Sequence, residues 1–248
     1  MKKFAIALQF LTRLPIRISG VNPGEIGRSI VYFPVVGALI GILLAGLDLA
    51  CGAVGLNGLA SSVIVVIALV CVTGAIHLDG LADSCDAFFS GKGRDEMLAI
   101  MRDPHIGTMG VTSLVAVILL KVSLLSALAG PLRTTAIVVM CVMGRWAMVF
   151  AMQISPYARS EGKAKHFLGG TNRRLTWVAA GITIVLVEAA WHANGAALFL
   201  AITGITYLFT ASVRRRLGGI TGDTIGATDE IVETATLLVM CIGAGGYR

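Results

Sequence analysis

Charged residues are scarce in this chain. Only 14% of its 248 residues are Asp, Glu, Lys or Arg, whereas 56% are hydrophobic. A soluble globular protein carries nearer a quarter charged residues, so a soluble globular fold is excluded. The mean hydropathy of +0.85 instead indicates a polytopic membrane protein.

Paired cysteines are also missing. The five cysteines lie mostly in apolar segments and show no paired spacing. A disulfide framework and a zinc site both need cysteines at short, repeated intervals, so both are excluded. We expect the cysteines to act as small buried hydrophobic residues.

No linker, low-complexity tract or long run of like charge divides the chain. Residues 1–248 are therefore predicted to form a single membrane-embedded domain. The N-terminal apolar stretch is too short, and lacks the cleavage site, expected of a signal peptide. Because Phe4, Leu8 and Leu11 fall on one helical face, we predict an interfacial amphipathic helix there.

Long apolar runs recur along the chain, and about 20 apolar residues of α-helix cross a bilayer core. The seven predicted spans are 30–50, 60–76, 110–129, 134–153, 176–193, 196–211 and 231–247. The segment 77–107 could add a partly embedded helix, which leaves the count open by one. The predicted fold class is an all-α, polytopic helical bundle.

Basic residues gather on one side of the membrane if these spans alternate in direction. They lie in the N-terminal segment and in the connections after the second, fourth and sixth spans. The positive-inside rule then places the N-terminus and the long connections in the cytoplasm. Topology thus explains the net charge of +6, which argues against a nucleic-acid partner.

Three carboxylates follow the second apolar run. Asp79, Asp83 and Asp86 are spaced by four and three residues, so they fall on one face of a helix. Ionised carboxylates at a membrane edge need a positive partner, and Mg²⁺ prefers oxygen ligands of this kind. The pattern predicts a site for one or two divalent cations; the alternative is a solvated acidic face. His77 is expected to point away from it, as a hydrogen-bonded interfacial histidine.

Two later connections have the composition of phosphate sites. Arg159 lies near glycines in the connection after the fourth span, and an Arg fork with nearby glycine backbone suits phosphate oxygens. The glycine-rich segment 217–230 opens the last span, where a helix N-terminus can bind an anion. Asp229 in this segment and Glu233 just after it are expected only to complement the helix dipole.

Arg145 lies inside the fourth predicted span. Placing a charged arginine inside a membrane costs free energy, so such a residue is normally paired with a polar or oppositely charged group. We expect its partner to be Asp79 or a bound phosphate.

Taken together and in order, these segments resemble the cobalamin synthase family (adenosylcobinamide-GDP ribazoletransferase). The matching blocks span nearly the whole chain: 8–15, 32–41, 77–83, 100–103, 106–110, 144–145, 156–159, and 222–227 with Glu230. The block at 77–83 is the most distinctive. A weaker similarity to CDP-alcohol phosphotransferases fails at Ile76, where that family has its first Asp.

The resemblance implies a Mg²⁺-dependent enzyme of the bacterial inner membrane, with its active site facing the cytoplasm. It would join adenosylcobinamide-GDP to α-ribazole, or to the 5′-phosphate of α-ribazole, and release GMP in the last steps of cobalamin biosynthesis. Its surroundings would include membrane lipid, other corrinoid-pathway enzymes and further copies of the chain. The competing class is a transporter, whose charges should lie near the bilayer midplane rather than at one edge.

Roles follow from the resemblance together with the residue chemistry. The expected set is Asp79, Asp83, Asp86 and Glu230 for Mg²⁺; Asp103, Asp223, Arg102 and Arg145 for catalysis; and Arg159, Gly107, Gly222 and Gly226 for phosphate binding. Either Asp103 or Asp223 would accept the proton of the attacking hydroxyl.

Overall fold

The computed structural model describes residues 1–16, 18–162, 164–170, 172–191 and 194–245. Within them the chain is helical, and the only β-type pairing is an isolated bridge between Tyr157 and Ile220. The helices are α1 (Lys2–Leu11), α2 (Pro23–Ser29), α3 (Phe33–Ala53), α4 (Gly58–Thr73), α5 (Ile76–Phe89), α6 (Arg94–Ile100), α7 (Thr108–Ala127), α8 (Gly130–Ile154), α9 (Lys165–Leu168), α10 (Arg173–Ala190), α11 (Gly195–Leu217) and α12 (Gly222–Gly245). The all-α prediction is confirmed.

Each of the seven predicted spans is largely helical, but the second, 60–76, runs past the end of α4 at Thr73 and reaches the first residue of α5. Residues 192–193 and 246–247 of two other spans lie outside the described residues. In the part of the chain that the structure describes, four helical stretches are long and apolar enough to cross a membrane: Pro23–Ala53, α7, α8 and α11. The bent pair α4 and α5 adds a fifth candidate. The chain is thus consistent with a multi-pass membrane protein, while the count of seven and the cytoplasmic N-terminus stay predictions.

Helix α8 forms the centre of the bundle. Most of its apolar stretch is buried inside the protein, and α3 and α12 pack along it. On α3, a side chain at Gly37 would collide with the carbonyl oxygen of Cys141, and a Cβ at Gly41 would lie 2.6 Å from the Cα of Val138. Small residues therefore bring the two backbones into contact, as is usual between membrane helices.

The chain turns sharply between α4 and α5. Gly74 and Ala75 both have left-handed backbone conformations, with φ of +67° and +59°, and the two helix axes differ by 91°. Among the described residues, Ala75 is the only non-glycine with positive φ. Such strain persists only where the surrounding packing imposes it. The bend lays α5 across α7 and α12 instead of continuing α4.

Helix α12 begins at Gly222, nine residues before the predicted span. Thr221 and Thr224 explain the early start, because each backbone N–H meets the hydroxyl of the other, at 2.8 and 3.2 Å. This reciprocal capping resembles a capping box. The glycine-rich segment that was expected to precede the helix is therefore partly inside it.

The amphipathic helix predicted at the N-terminus is α1. Its apolar face packs on the core: Leu11 is buried, and the ring of Phe10 contacts those of Phe33 and Phe167. The helix thereby joins α3 and α9 beside the cavity described next.

Candidate active site

A cavity of about 230 Å³ lies between α5, the start of α12 and the connection that follows α8. Apolar side chains from α1, α8 and α9 complete its wall. Among the residues predicted from sequence, those that line it are Asp79, Arg159, Gly222, Asp223 and Gly226. The fold thus brings together residues from three segments that lie far apart in the chain.

Glycines let α5 and α12 approach closely enough to form this wall. A Cβ on Gly80 would lie 2.5 Å from the carbonyl oxygen of Asp223, and one on Gly226 would lie 3.1 Å from the Cα of His77. Gly226, expected to bind phosphate, therefore also serves as a contact point between the two helices.

Negative charge concentrates on the α5 side of the cavity. Asp83 is half-buried, and the carboxylates of Asp79, Asp223 and Asp86 all repel it, whereas Arg159 attracts it. Four carboxylates near one guanidinium leave an excess of negative charge. Carboxylate oxygens are the ligands that Mg²⁺ prefers. Because Asp79 is exposed, these oxygens are open to an ion from solvent, so the set fits a divalent cation.

Asp223 and Arg159 form an ion pair across the cavity. The Nη2 atom of Arg159 lies 2.8 Å from Oδ2 of Asp223, and the hydroxyl of Thr221 donates to the same oxygen at 3.3 Å. Burial raises the pKa of Asp223 above its usual range, although Arg159 and Thr221 act in the opposite direction. The Nε atom of Arg159 is buried and has no hydrogen-bond partner among the described residues, which leaves it for a ligand oxygen.

Asp86 has a second role that the sequence did not indicate. Its two carboxylate oxygens each accept a backbone N–H, from Gly107 and Gly110, at 2.7 Å. Asp86 therefore caps the N-terminus of α7, where a negative charge also complements the helix dipole. The N–H of Gly107, expected to bind phosphate, is already used by this carboxylate.

Asp103 and Arg102 are exposed and do not line the cavity. The backbone N–H of His105 donates to Asp103 at 2.9 Å, and the imidazole lies 2.6 Å away. These contacts hold the pKa of Asp103 below its usual range, which makes it a weaker base. Arg102 is near enough to the site to act electrostatically on Tyr157, a wall residue.

A second group of charged and titratable side chains is buried next to the cavity. We call it the inner ionic cluster, and its members are His77, Lys121, Arg145, Asp229, Glu230 and Glu233. Lys121 lies 2.7 Å from Glu230 and 2.5 Å from Glu233. Glu230 was expected to bind Mg²⁺, but it faces this lysine instead. Two helical turns, about 10 Å of axial rise, separate it from Asp223 on α12.

Arg145 also belongs to the inner ionic cluster. It is fully buried, forms an ion pair with Glu233 and lies 3.5 Å from Asp229. Its partners are therefore two acids of α12, and the expected contact with Asp79 is wrong. The view that Asp229 and Glu233 only complement the helix dipole is wrong as well, because both are buried and paired.

His77 connects the inner ionic cluster to the cavity. It lines the cavity, and its Nδ1 lies 2.7 Å from Oδ2 of Asp229. His77, Asp229 and Glu230 place ligand atoms within 4.8 Å of one another, an arrangement that could hold a metal ion. Because Lys121 and Arg145 already pair with these acids, the α5 carboxylates are the stronger candidates for a cation.

A larger groove of about 1160 Å³ adjoins the cavity. It runs between the start of α2, the end of α8 and the segment that includes α9. The two compartments share the wall residues Met152, Tyr157 and Gly162. No sequence pattern indicated this groove, because its walls combine helix ends and connections that are distant in the chain.

Comparisons with known proteins give a consistent result. The family model of cobalamin-5-phosphate synthase matches residues 3–241. A relative from Pseudomonas syringae pv. syringae is 40% identical over 248 residues, which cover 98% of this chain and 100% of the relative. One from Desulforamulus reducens is 36% identical over 240 residues, covering 96% and 95% of the two chains. Both are named adenosylcobinamide-GDP ribazoletransferase, and no solved structure matches the chain.

Proposed function

Because the chain belongs to the cobalamin-5-phosphate synthase family, we propose that it catalyses the reaction for which its relatives are named. It transfers the adenosylcobinamide-phosphate group of adenosylcobinamide-GDP to α-ribazole or to the 5′-phosphate of α-ribazole. The products are adenosylcobalamin, or its 5′-phosphate, and GMP. The names of the relatives favour this transferase over a transporter.

The observation that carries the proposal is that Asp79, Asp223 and Arg159 line the same cavity. Phosphoryl transfer depends mainly on positioning and on neutralising charge, with little covalent participation by the protein. Carboxylates that hold a cation, beside a guanidinium that faces phosphate oxygens, provide these two functions. The buried, unpartnered Nε of Arg159 supports its role toward phosphate.

Asp79 and Asp83 would hold Mg²⁺ in this reaction. Bound there, the ion would neutralise charge on the diphosphate. Asp86 would act beside them mainly by fixing the start of α7 against α5 through its two backbone contacts. Glu230 and Arg145 would instead support the site from the inner ionic cluster.

Side chains of the protein would accept the proton of the attacking hydroxyl and orient the phosphates. The hydroxyl of the ribazole attacks the phosphorus that bears the cobinamide, and the oxygen that bridges the two phosphorus atoms leaves with GMP. Asp223 is the better of the two candidate bases, because it lines the cavity and burial raises its pKa. Arg159 would orient the phosphates, and Arg102, which does not line the cavity, would add positive charge at longer range.

The cavity would face the cytoplasm of a bacterium, from within the inner membrane. Arg159 lies in one of the arginine- and lysine-rich connections that the positive-inside rule assigns to that side. Soluble nucleotide substrates would reach it there. Association with other corrinoid-pathway enzymes or with further copies of the chain would fit a membrane location.

The test is release of GMP by the purified protein in detergent or lipid nanodiscs. Adenosylcobinamide-GDP, α-ribazole and Mg²⁺ should give GMP and adenosylcobalamin in equal amounts. A parallel reaction with α-ribazole 5′-phosphate identifies the preferred acceptor. Folded protein that releases no GMP with either acceptor would reject the proposal.

A further inference from the structure

The cavity that holds the phosphate-binding groups is too small for the whole proposed substrate. Its volume is about 230 Å³, below the roughly 300–1,000 Å³ of sites for drug-sized ligands. The adjoining groove, at about 1160 Å³, exceeds that range. A substrate with a small charged part and a large remainder would need both compartments.

The two compartments differ in chemistry. Asp79, Arg159 and Asp223 line the small cavity and do not line the groove. Among the described residues, the charged side chains of the groove are Glu161 and Lys165, which have opposite signs. Within the described part of the wall, which also includes His166, acidic and basic side chains of fixed charge are thus balanced, and this suits a ligand without phosphate.

The groove wall also mixes apolar and hydrogen-bonding groups. Ile154 and Leu168 offer apolar surface, while Gln153 and Ser160 offer donors and acceptors. A corrin ring is a large, mostly apolar macrocycle with neutral carboxamide side chains around its edge. Its faces match the apolar side chains, and its amides match the polar ones.

We propose that this groove binds the corrin ring of adenosylcobinamide-GDP, while the small cavity takes the diphosphate. The proposal rests on the proposed function. Continuity supports it: Met152, Tyr157 and Gly162 belong to both walls, so a ligand can pass from one compartment to the other without a break. The alternative occupant is the guanosine, whose single bicyclic base would leave most of the groove unfilled.

Two glycines of the groove wall allow the groove to be filled without disturbing the fold. A Cβ on Gly24 meets nothing within 4 Å, and one on Gly169 comes no closer than 3.7 Å to another heavy atom. Gly24→Trp and Gly169→Trp should therefore fold and obstruct the groove. Gly181→Trp is the matched control, since Gly181 on α10 is equally open and lies outside the groove.

The experiment is calorimetric titration of the purified full chain with two separate probes, cobinamide and GDP with Mg²⁺. We expect each groove variant to weaken cobinamide binding by at least about tenfold, with GDP binding unchanged. Gly181→Trp should leave both affinities unchanged. Cobinamide affinity that survives in both groove variants, or wild-type protein that binds no cobinamide, would overturn the proposal.

A selective loss of GDP affinity in the groove variants would also overturn it and assign the groove to the nucleotide. Different results would contradict the proposed function and the groove assignment. Wild-type protein that binds cobinamide but releases no GMP contradicts the transferase and leaves the groove assignment intact. Protein that releases GMP while its groove variants bind cobinamide normally contradicts only the groove assignment.

Discussion

The guanidinium of Arg159 lies 2.8 Å from the carboxylate of Asp223 and ties the connection after α8 to the first turn of α12. Each residue lines the same small cavity, which Asp79 of α5 also lines. This ion pair is the point at which three separate parts of the chain meet.

Replacing Arg159 should weaken nucleotide binding. Arg159→Gln removes the charge that faces phosphate, and a hydrogen bond to a charged group contributes about 1.5–3 kcal/mol. We expect the dissociation constant for GDP, measured by calorimetry, to rise at least about tenfold. Arg173→Gln is the control, because Arg173 is exposed and does not line the cavity. An equal effect of the two substitutions would show that only overall charge matters.

Asp86 should act more as a helix cap than as a metal ligand. Asp86→Ala leaves the N–H groups of Gly107 and Gly110 unpaired and should lower the free energy of unfolding by about 1–2 kcal/mol. Asp86→Asn keeps an acceptor oxygen and should lower the free energy of unfolding by less. Unfolding in detergent and Mg²⁺ titration measure the two properties. Loss of Mg²⁺ binding in a stable Asp86→Asn protein would assign it to the metal instead.

Lys121 should be essential for stability. Lys121→Met leaves Glu230 without a buried cation and Glu233 with Arg145 alone, and breaking a buried ion pair costs about 3–5 kcal/mol. Thermal unfolding in detergent should show a large decrease in the melting temperature. Lys92→Met should change little, because Lys92 is exposed and contacts Glu96 only at 3.6 Å. A Lys121→Met protein as stable as the wild type would mean that the cluster does not need this charge.

Gly80 should be intolerant of any side chain. Gly80→Ala places a methyl group 2.5 Å from the carbonyl oxygen of Asp223, which must push α5 and α12 apart. Overpacking of this kind costs about 1–3 kcal/mol and should also lower GMP release. Gly204→Ala, with nothing within 4 Å of its Cβ position, serves as the comparison. Normal activity in Gly80→Ala would contradict the close helix contact.

Much of the fold was predictable because hydrophobic runs and helical spacing are local properties of the chain. Each predicted span is largely helical, although the bend at Gly74 and Ala75 interrupts the second one. The face shared by Asp79 and Asp83 follows from their spacing of four residues on α5. Glycines and basic residues in the connections also located part of the cavity, through Arg159 and Gly222.

Contacts between distant helices were not predictable in the same way. Lys121 and Glu230 are 109 residues apart, and periodicity gives the face of a helix without identifying its partner. An intramembrane lysine needs an acidic partner, but the sequence offers several acids. The bend at Gly74 and Ala75 sets which acids meet, and its left-handed alanine has no sequence signature.

The central claim is that the α5 carboxylates hold the cation that phosphoryl transfer needs. Asp83→Asn tests it most directly, with Asp95→Asn as control, because the Asp95 side chain is 90% exposed and lies on α6. The measurement is the rate of GMP release from adenosylcobinamide-GDP and α-ribazole across a Mg²⁺ titration, in folded protein. We predict that Asp83→Asn lowers the rate at least about a hundredfold, a loss of roughly 2.7 kcal/mol in transition-state stabilisation, while Asp95→Asn matches the wild type. Near-normal GMP release by Asp83→Asn at the same Mg²⁺ concentration would contradict the account.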